Sequence, residues 1–147
     1  MKIWINNRQR KTVLSREKVR KKAGKILSAL GLSDRELSLT LINDRAMARL
    51  NRETFGRRGP TNVIAFPMQE GPFGTPVAGM LGDVVVSLET AAREARDIGV
   101  SLEERLLALL LHGILHLFGY DHEQGGAQAR RMQRKQRAIM EKITCTS

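Results

Sequence analysis

Apolar positions along the chain change their period several times, and each change marks an element. Lys2–Asn6 reads as a short strand. Beyond a polar turn, Val19, Ala23, Ile26, Leu27 and Leu30 recur three and four residues apart, which predicts a helix. Ser15 stands where its cap is needed, and Gly31 ends it. From Glu36 to Ile42 the period shortens to two, with Leu37, Leu39 and Leu41 on one face of a strand. Asp44 can cap a short helix through Met47 and Leu50. Residues 55–62, FGRRGPTN, read as a loop, and Val63–Phe66 as a short apolar strand. Residues 67–80 hold three glycines and three prolines and read as a long loop. Leu81–Val86 is a valine-rich strand, and Ser87 can cap a helix through Ala91, Ala92 and Ala95 to Ile98, closed by Gly99.

The next segment opens on Ser101-Leu-Glu-Glu104, a capping-box pattern, and predicts a helix over about Leu102–Phe118. Leu106, Leu107, Leu109, Leu110, Leu111, Ile114, Leu115, Leu117 and Phe118 make it apolar nearly all round, so it belongs inside the molecule. Gly119 breaks it. A last helix, about Gly126–Ile143, turns Ala129, Met132, Ile139 and Ile143 inward and Arg130, Arg131, Arg134, Lys135 and Arg137 outward. Strands and helices mix without strict alternation and with no repeat or linker. The expected class is α+β: a small mixed β-sheet packed with several helices around a central buried helix, as one domain over residues 1–147.

Charge adds a partner class. The formal net charge of +10 is concentrated at the ends: residues 1–27 carry ten basic side chains against one acidic, and residues 61–122 are net acidic. Such a balance favours polyanions, because each neutralised phosphate releases counterions. Aromatic residues are 4% of the chain, too few for a base-stacking sheet. The single cysteine, Cys145, excludes an internal disulfide framework and fits a reducing compartment. With no apolar run of membrane-spanning length and no visible signal peptide, a soluble cytoplasmic protein with no membrane role is expected.

Candidate chemistry is concentrated further still. All three histidines lie within eleven residues: His112, His116 and His122. His112 and His116 are i and i+4 on the apolar helix and share one face. Gly119 then lets the chain turn, so that His122 can swing back to the same point. Three converging imidazoles are the ligand set of a catalytic zinc ion with a fourth position open to water, which can ionise near pH ~7. Nickel, copper and iron remain compatible with such ligands. The spacing matches the metzincin pattern in its ligands and glycine, but the position of the protease's general base is Gly113, which disfavours a zinc peptidase. Asp121 can orient His116 or His122, or can merely shape the turn.

The stretch His112-Gly-Ile-Leu-His-Leu-Phe-Gly-Tyr-Asp-His122 resembles the signature of the YbeY family, the bacterial rRNA maturation factors. Leu50-Asn51, Pro60-Thr61-Asn62-Val63-Ile64-Ala65-Phe66-Pro67 and Leu81-Gly82-Asp83-Val84 resemble its other blocks in the expected order. The resemblance implies an α+β, metal-dependent endoribonuclease of single-stranded RNA, acting on the 3′ end of 16S rRNA and in ribosome quality control. It also implies links to the small ribosomal subunit, its proteins and a ribosome-associated GTPase, and carries the metal ligands onto His112, His116 and His122. One part does not carry over. The family's arginine after the Leu-Asn pair falls on Phe55, and its aspartate before the proline on Arg58. Arg57 or Arg58 can supply the cationic charge instead.

The leading expectation is therefore a zinc-dependent endoribonuclease whose basic ends hold RNA while the histidines cut it. The alternatives are a zincin-like metallopeptidase and a ribosome-assembly RNA-binding module with a structural metal.

Overall fold

A computed structural model describes residues 2–67, 80–117 and 126–145. Within them lie strands β1 (Lys2–Asn7), β2 (Glu36–Ile42), β3 (Val63–Pro67) and β4 (Met80–Ser87). The helices are α1 (Arg16–Ala29), α2 (Asp44–Phe55), α3 (Leu88–Ile98), α4 (Leu102–Leu117) and α5 (Gly126–Cys145). The strands form one sheet in the order β1-β2-β4-β3, with β1, β2 and β4 parallel and β3 antiparallel on the edge. This is the α+β class with a small mixed sheet that the apolar pattern predicts. The predicted loop over residues 67–80 and the helix end at Phe118 and Gly119 fall largely outside the described residues.

Register sorts the side chains into two cores. Leu39 pairs with Val84 and Leu41 with Val86, so these residues lie on one face, and those between them on the other. The first face packs against α1, α3, α4 and α5: Leu37, Leu39, Leu41, Val84 and Val86 join Ile26, Leu27, Leu88, the α4 leucines, Met132, Ile139 and Ile143. α4 is buried along most of its length, as an all-round apolar helix must be. The second face carries Ile42, Ile64, Phe66 and Val85, covered by Met47 and Leu50 of α2. The sheet thus stands between α2 and α4.

The start of α2 departs from the sequence reading. Its N-cap is Asn43, whose extended backbone precedes the first turn and whose side chain accepts from the Ala46 amide at 2.9 Å. Asp44 is already helical, and its carboxylate serves α3 instead. One oxygen accepts from the Ser87 and Thr90 hydroxyls at 2.6 Å each, and the other pairs with Arg93 at 2.7 Å. Glu89 of α3 returns the contact by accepting the Asp44 amide at 2.9 Å. Ser87 therefore occupies the N-cap position of α3 without capping it through its side chain. Burial pushes the Asp44 carboxyl up, but the hydrogen bonds from Ser87, Thr90 and Arg93 and the Arg93 charge hold it below the usual carboxylate range.

On α5, Met132, Ile139 and Ile143 are buried and Arg130, Arg131, Arg134, Lys135 and Arg137 exposed, as expected. The side chain of Ala129 lies outside the described set.

Candidate metal centre

α4 reaches its place because two glycines let it. A Cβ on Gly113 would stand 2.7 Å from Cγ1 of Val84 and 3.5 Å from Cγ2 of Val63, so helix and sheet touch through glycine at this turn. One turn on, a Cβ on Gly82 would meet the Phe66 carbonyl and come within 3.0 Å of Leu117 Cδ2. Gly82 also has φ +153, which few side chains tolerate. The other end of α4 is tied by Glu94 of α3. Its Oε1 accepts from Arg105 Nε and Nη2 at 3.0 and 2.9 Å, and both its oxygens accept from Asn62 Nδ2, at 3.3 and 3.2 Å. Asn62, immediately before β3, thereby holds the edge strand and the histidine helix in one network.

On the helix so placed, Nε2 of His112 and Nε2 of His116 stand 3.0 Å apart, with the rings 63° from coplanar. Two nitrogens that share a tetrahedral zinc ion stand about 3.3 Å apart, given Zn–N distances near 2.0 Å. The observed spacing suits either a shared cation or an N–H···N hydrogen bond between neutral rings. On its far side, His112 Nδ1 faces Oε1 of Gln136 at 3.4 Å, and Nε2 of Gln136 donates to the Ala108 carbonyl at 3.4 Å. An amide that donates to Ala108 presents its oxygen to His112, an arrangement that suits a proton on Nδ1 and a lone pair on Nε2. That is the tautomer a metal ligand needs.

The donor set therefore fits a metal at His112 and His116, the two candidate ligands among the described residues. His122 and Asp121 lie outside the described residues. Among the described residues no three His, Cys, Asp or Glu side chains gather at one point. Gln136 is a residue the sequence reading passed over. Its signal was available: Met132, Gln136, Ile139 and Ile143 follow the inner stripe of α5, and a polar side chain on that stripe needs a partner.

The two candidate arginines part company. The loop after α2 turns at Gly56 and Gly59, both left-handed, and Asn51 Nδ2 donates to the Gly59 carbonyl at 3.0 Å. Arg57 lies with its guanidinium 5.6 Å from the centre of the Phe55 ring, a cation–π contact. Arg58 lines a groove along α2, together with Arg8, Arg45, Arg49 and Arg52. This arginine-rich groove was also missed from sequence, although the i, i+4, i+7 spacing was there to be read. The basic face of α1 borders a second groove, with Arg20, Lys21 and Lys25 beside Trp4 of β1 and Lys142 of α5. No helix among the described residues is long and apolar enough to cross a membrane.

Known proteins resemble this chain along nearly its whole length. The family model described as Endoribonuclease YbeY matches residues 4–144. Curated relatives named Endoribonuclease YbeY include those of Geobacter metallireducens, 54% identical, and Geobacter sulfurreducens, 49% identical, each alignment covering 95% of this chain and 93% of the relative. That of Aquifex aeolicus is 40% identical over 92% of this chain and 88% of its own length. A solved solution structure from Thermotoga maritima superposes with a TM-score of 0.65 at 28% identity, covering 96% of this chain and 88% of that one. With the family model spanning both the β-sheet and the histidine helix, the chain belongs to the YbeY endoribonuclease family.

Proposed function

We propose that this chain is a zinc-dependent endoribonuclease that cuts single-stranded RNA, with His112, His116 and His122 as the metal ligands. The observation that carries the reading is the convergence of two Nε2 atoms at 3.0 Å on a buried helix, with Gln136 holding one ring in the ligating tautomer. When bound there, zinc supplies Lewis-acid charge at the scissile phosphate. The protein's own part is to fix the imidazoles, to keep Nε2 of His112 unprotonated, and to bring cationic side chains to the RNA. Arg57 is the candidate for charge at the phosphoryl oxygens, since Arg58 lines the groove along α2, and Asp121 is the candidate for orienting a ligand histidine. The cellular task that goes with this reading is 3′-end maturation of 16S rRNA and ribosome quality control in the cytoplasm, alongside the small subunit, its proteins and a ribosome-associated GTPase.

Packing at Gly113 counts against a peptidase. A glutamate at that position leaves its helix towards Val84 and Val63, into the sheet rather than towards the histidines.

The test is cleavage of a single-stranded RNA carrying the 16S 3′ end by purified, zinc-loaded protein. Cutting by the wild type and its abolition in His112→Ala is the expected result. Equal cutting by His112→Ala overturns the metal mechanism. A protein that needs zinc to stay folded yet never cuts overturns the enzymatic reading in favour of a structural metal. A 2′,3′-cyclic phosphate on the product identifies the RNA's own hydroxyl as nucleophile, and a 3′-hydroxyl with a 5′-phosphate identifies water.

A further inference from the structure

Arg45, Arg49 and Arg52 follow one another at i, i+4 and i+7 and share the outer face of α2, opposite the buried Met47, Leu50 and Asn51. All three are exposed. Arg8 from the end of the β1 region and Arg58 from the loop join them along one groove of about 1340 Å³. In its lining stands one acidic residue, Glu53, which lies 4.0 Å from Arg49 with both side chains largely exposed.

The stripe works against the helix that bears it. Like charges one turn apart repel, and Arg45 sits at the positive end of the helix dipole. The acid in that first turn, Asp44, is turned away to Ser87, Thr90 and Arg93. The Asp44 and Ala46 amides at the start of α2 are already taken by Glu89 and Asn43, so the attraction for an anion comes chiefly from the guanidinium groups. An external polyanion relieves every one of these repulsions.

Position limits what the groove can do. α2 covers the Ile64, Phe66 and Val85 face, whereas α4 packs on Val63 and Val84 across the sheet. The stripe therefore does not border the histidine pair, and the edge strand β3 lies between them. We infer that this groove docks the phosphate backbone of the RNA substrate at a distance from the cut. The inference rests on RNA being the substrate of this chain. Guanidinium forks match phosphate oxygens, and the lining beside them is small, with Ala46 and Ala48 and no aromatic ring. Bases find no stacking surface there, so the contact is indifferent to sequence. An RNA that uses both sites passes round the β3 edge, and one too short to span them gains nothing from the groove.

Fluorescence anisotropy on the full chain, with a labelled 2′-O-methyl RNA of about 20 nucleotides, tests this, since single-strand sites run to ~16 nucleotides per module. The variant Arg45→Ala/Arg49→Ala/Arg52→Ala is compared with Arg130→Ala/Arg131→Ala/Arg134→Ala, which removes equal charge from α5. For the α2 variant, affinity falls by about tenfold or more at low salt, and the slope of log K against log salt drops by about 2, at ~0.7 per lost phosphate contact. On cleavable RNA the KM rises and kcat holds, and short RNA shows neither change. Equal losses in both variants overturn the inference in favour of diffuse charge. Unchanged RNA affinity in the α2 variant overturns it and leaves an acidic protein as the occupant. Because the binding arm reads affinity and not product, a wild type that binds without cleaving overturns the proposed activity alone.

Discussion

Gln136 holds His112 from behind: its Oε1 lies 3.4 Å from Nδ1 of the imidazole, while its Nε2 is committed to the Ala108 carbonyl one turn earlier on α4. Because the amide has one acceptor end and one donor end, the second contact dictates the first. Gln136 accordingly acts as a positioning residue, reaching His112 from α5.

Gln136→Leu keeps the bulk and loses the acceptor. Partners of this kind change metal affinity by about 10- to 100-fold, and the 3.4 Å separation places this one near the lower end. Zinc affinity, measured by chelator competition, should fall about tenfold. Gln136→Glu retains an oxygen facing Nδ1 and should restore most of it. If leucine and glutamate weaken zinc equally, the contact does no more than pack.

Gly113 sets the depth of α4 against the sheet. A methyl there meets the stiff side chain of Val84 at 2.7 Å. Overpacking of this kind costs about 1–3 kcal/mol, while the gain in helix propensity from Gly to Ala returns about 1 kcal/mol. Gly113→Ala should therefore lose about 1 kcal/mol in urea unfolding. In the double variant with Val84→Ala the two costs should fall short of their sum by at least ~0.5 kcal/mol, as expected of residues in contact. Strict additivity would place the two residues out of contact. Gly113→Glu should fall further and digest no casein.

Asp44 makes stability depend on acid pH. Its carboxyl titrates lower in the folded chain than the ordinary value near 3.9, so the ionised form favours the folded state. That contribution is complete above pH ~4 and is lost as pH falls through the depressed value. Asp44→Ala should cost about 2 kcal/mol at neutral pH, the worth of hydrogen bonds to a charged group, reduced because the side chain is about a quarter exposed. Urea titrations from pH 7 downwards should show the gap to wild type constant at first and shrinking below pH ~4. A gap that persists unchanged to pH 2 removes the charge from the account.

The elements themselves were legible to within a residue or two wherever spacing was clear. Leu37, Leu39 and Leu41 are buried on one strand face, and the all-round apolar α4 is the interior helix. The cap of α2 was read one residue late because Asn43 and Asp44 are both good cap residues. Only the exchange with Ser87, Thr90 and Glu89, more than forty residues away, tells them apart. His112 and His116 were paired by local geometry alone. The split between Arg57 on Phe55 and Arg58 in the α2 groove was not legible, since two left-handed glycines flank them and set their directions.

By itself the sequence determined what is local: two imidazoles one turn apart, a glycine between them, three arginines on one helix face, and alternating leucines on a strand. These follow from the 3.6- and two-residue periods and need no other part of the chain. Tertiary structure alone decided what those faces meet. It brought Gln136 to His112, set Val84 beneath Gly113, and put the sheet between the histidines and the arginine stripe. The reason is that the face a helix covers depends on strand register and on the path of the crossovers, and both are fixed by packing among residues distant in the chain.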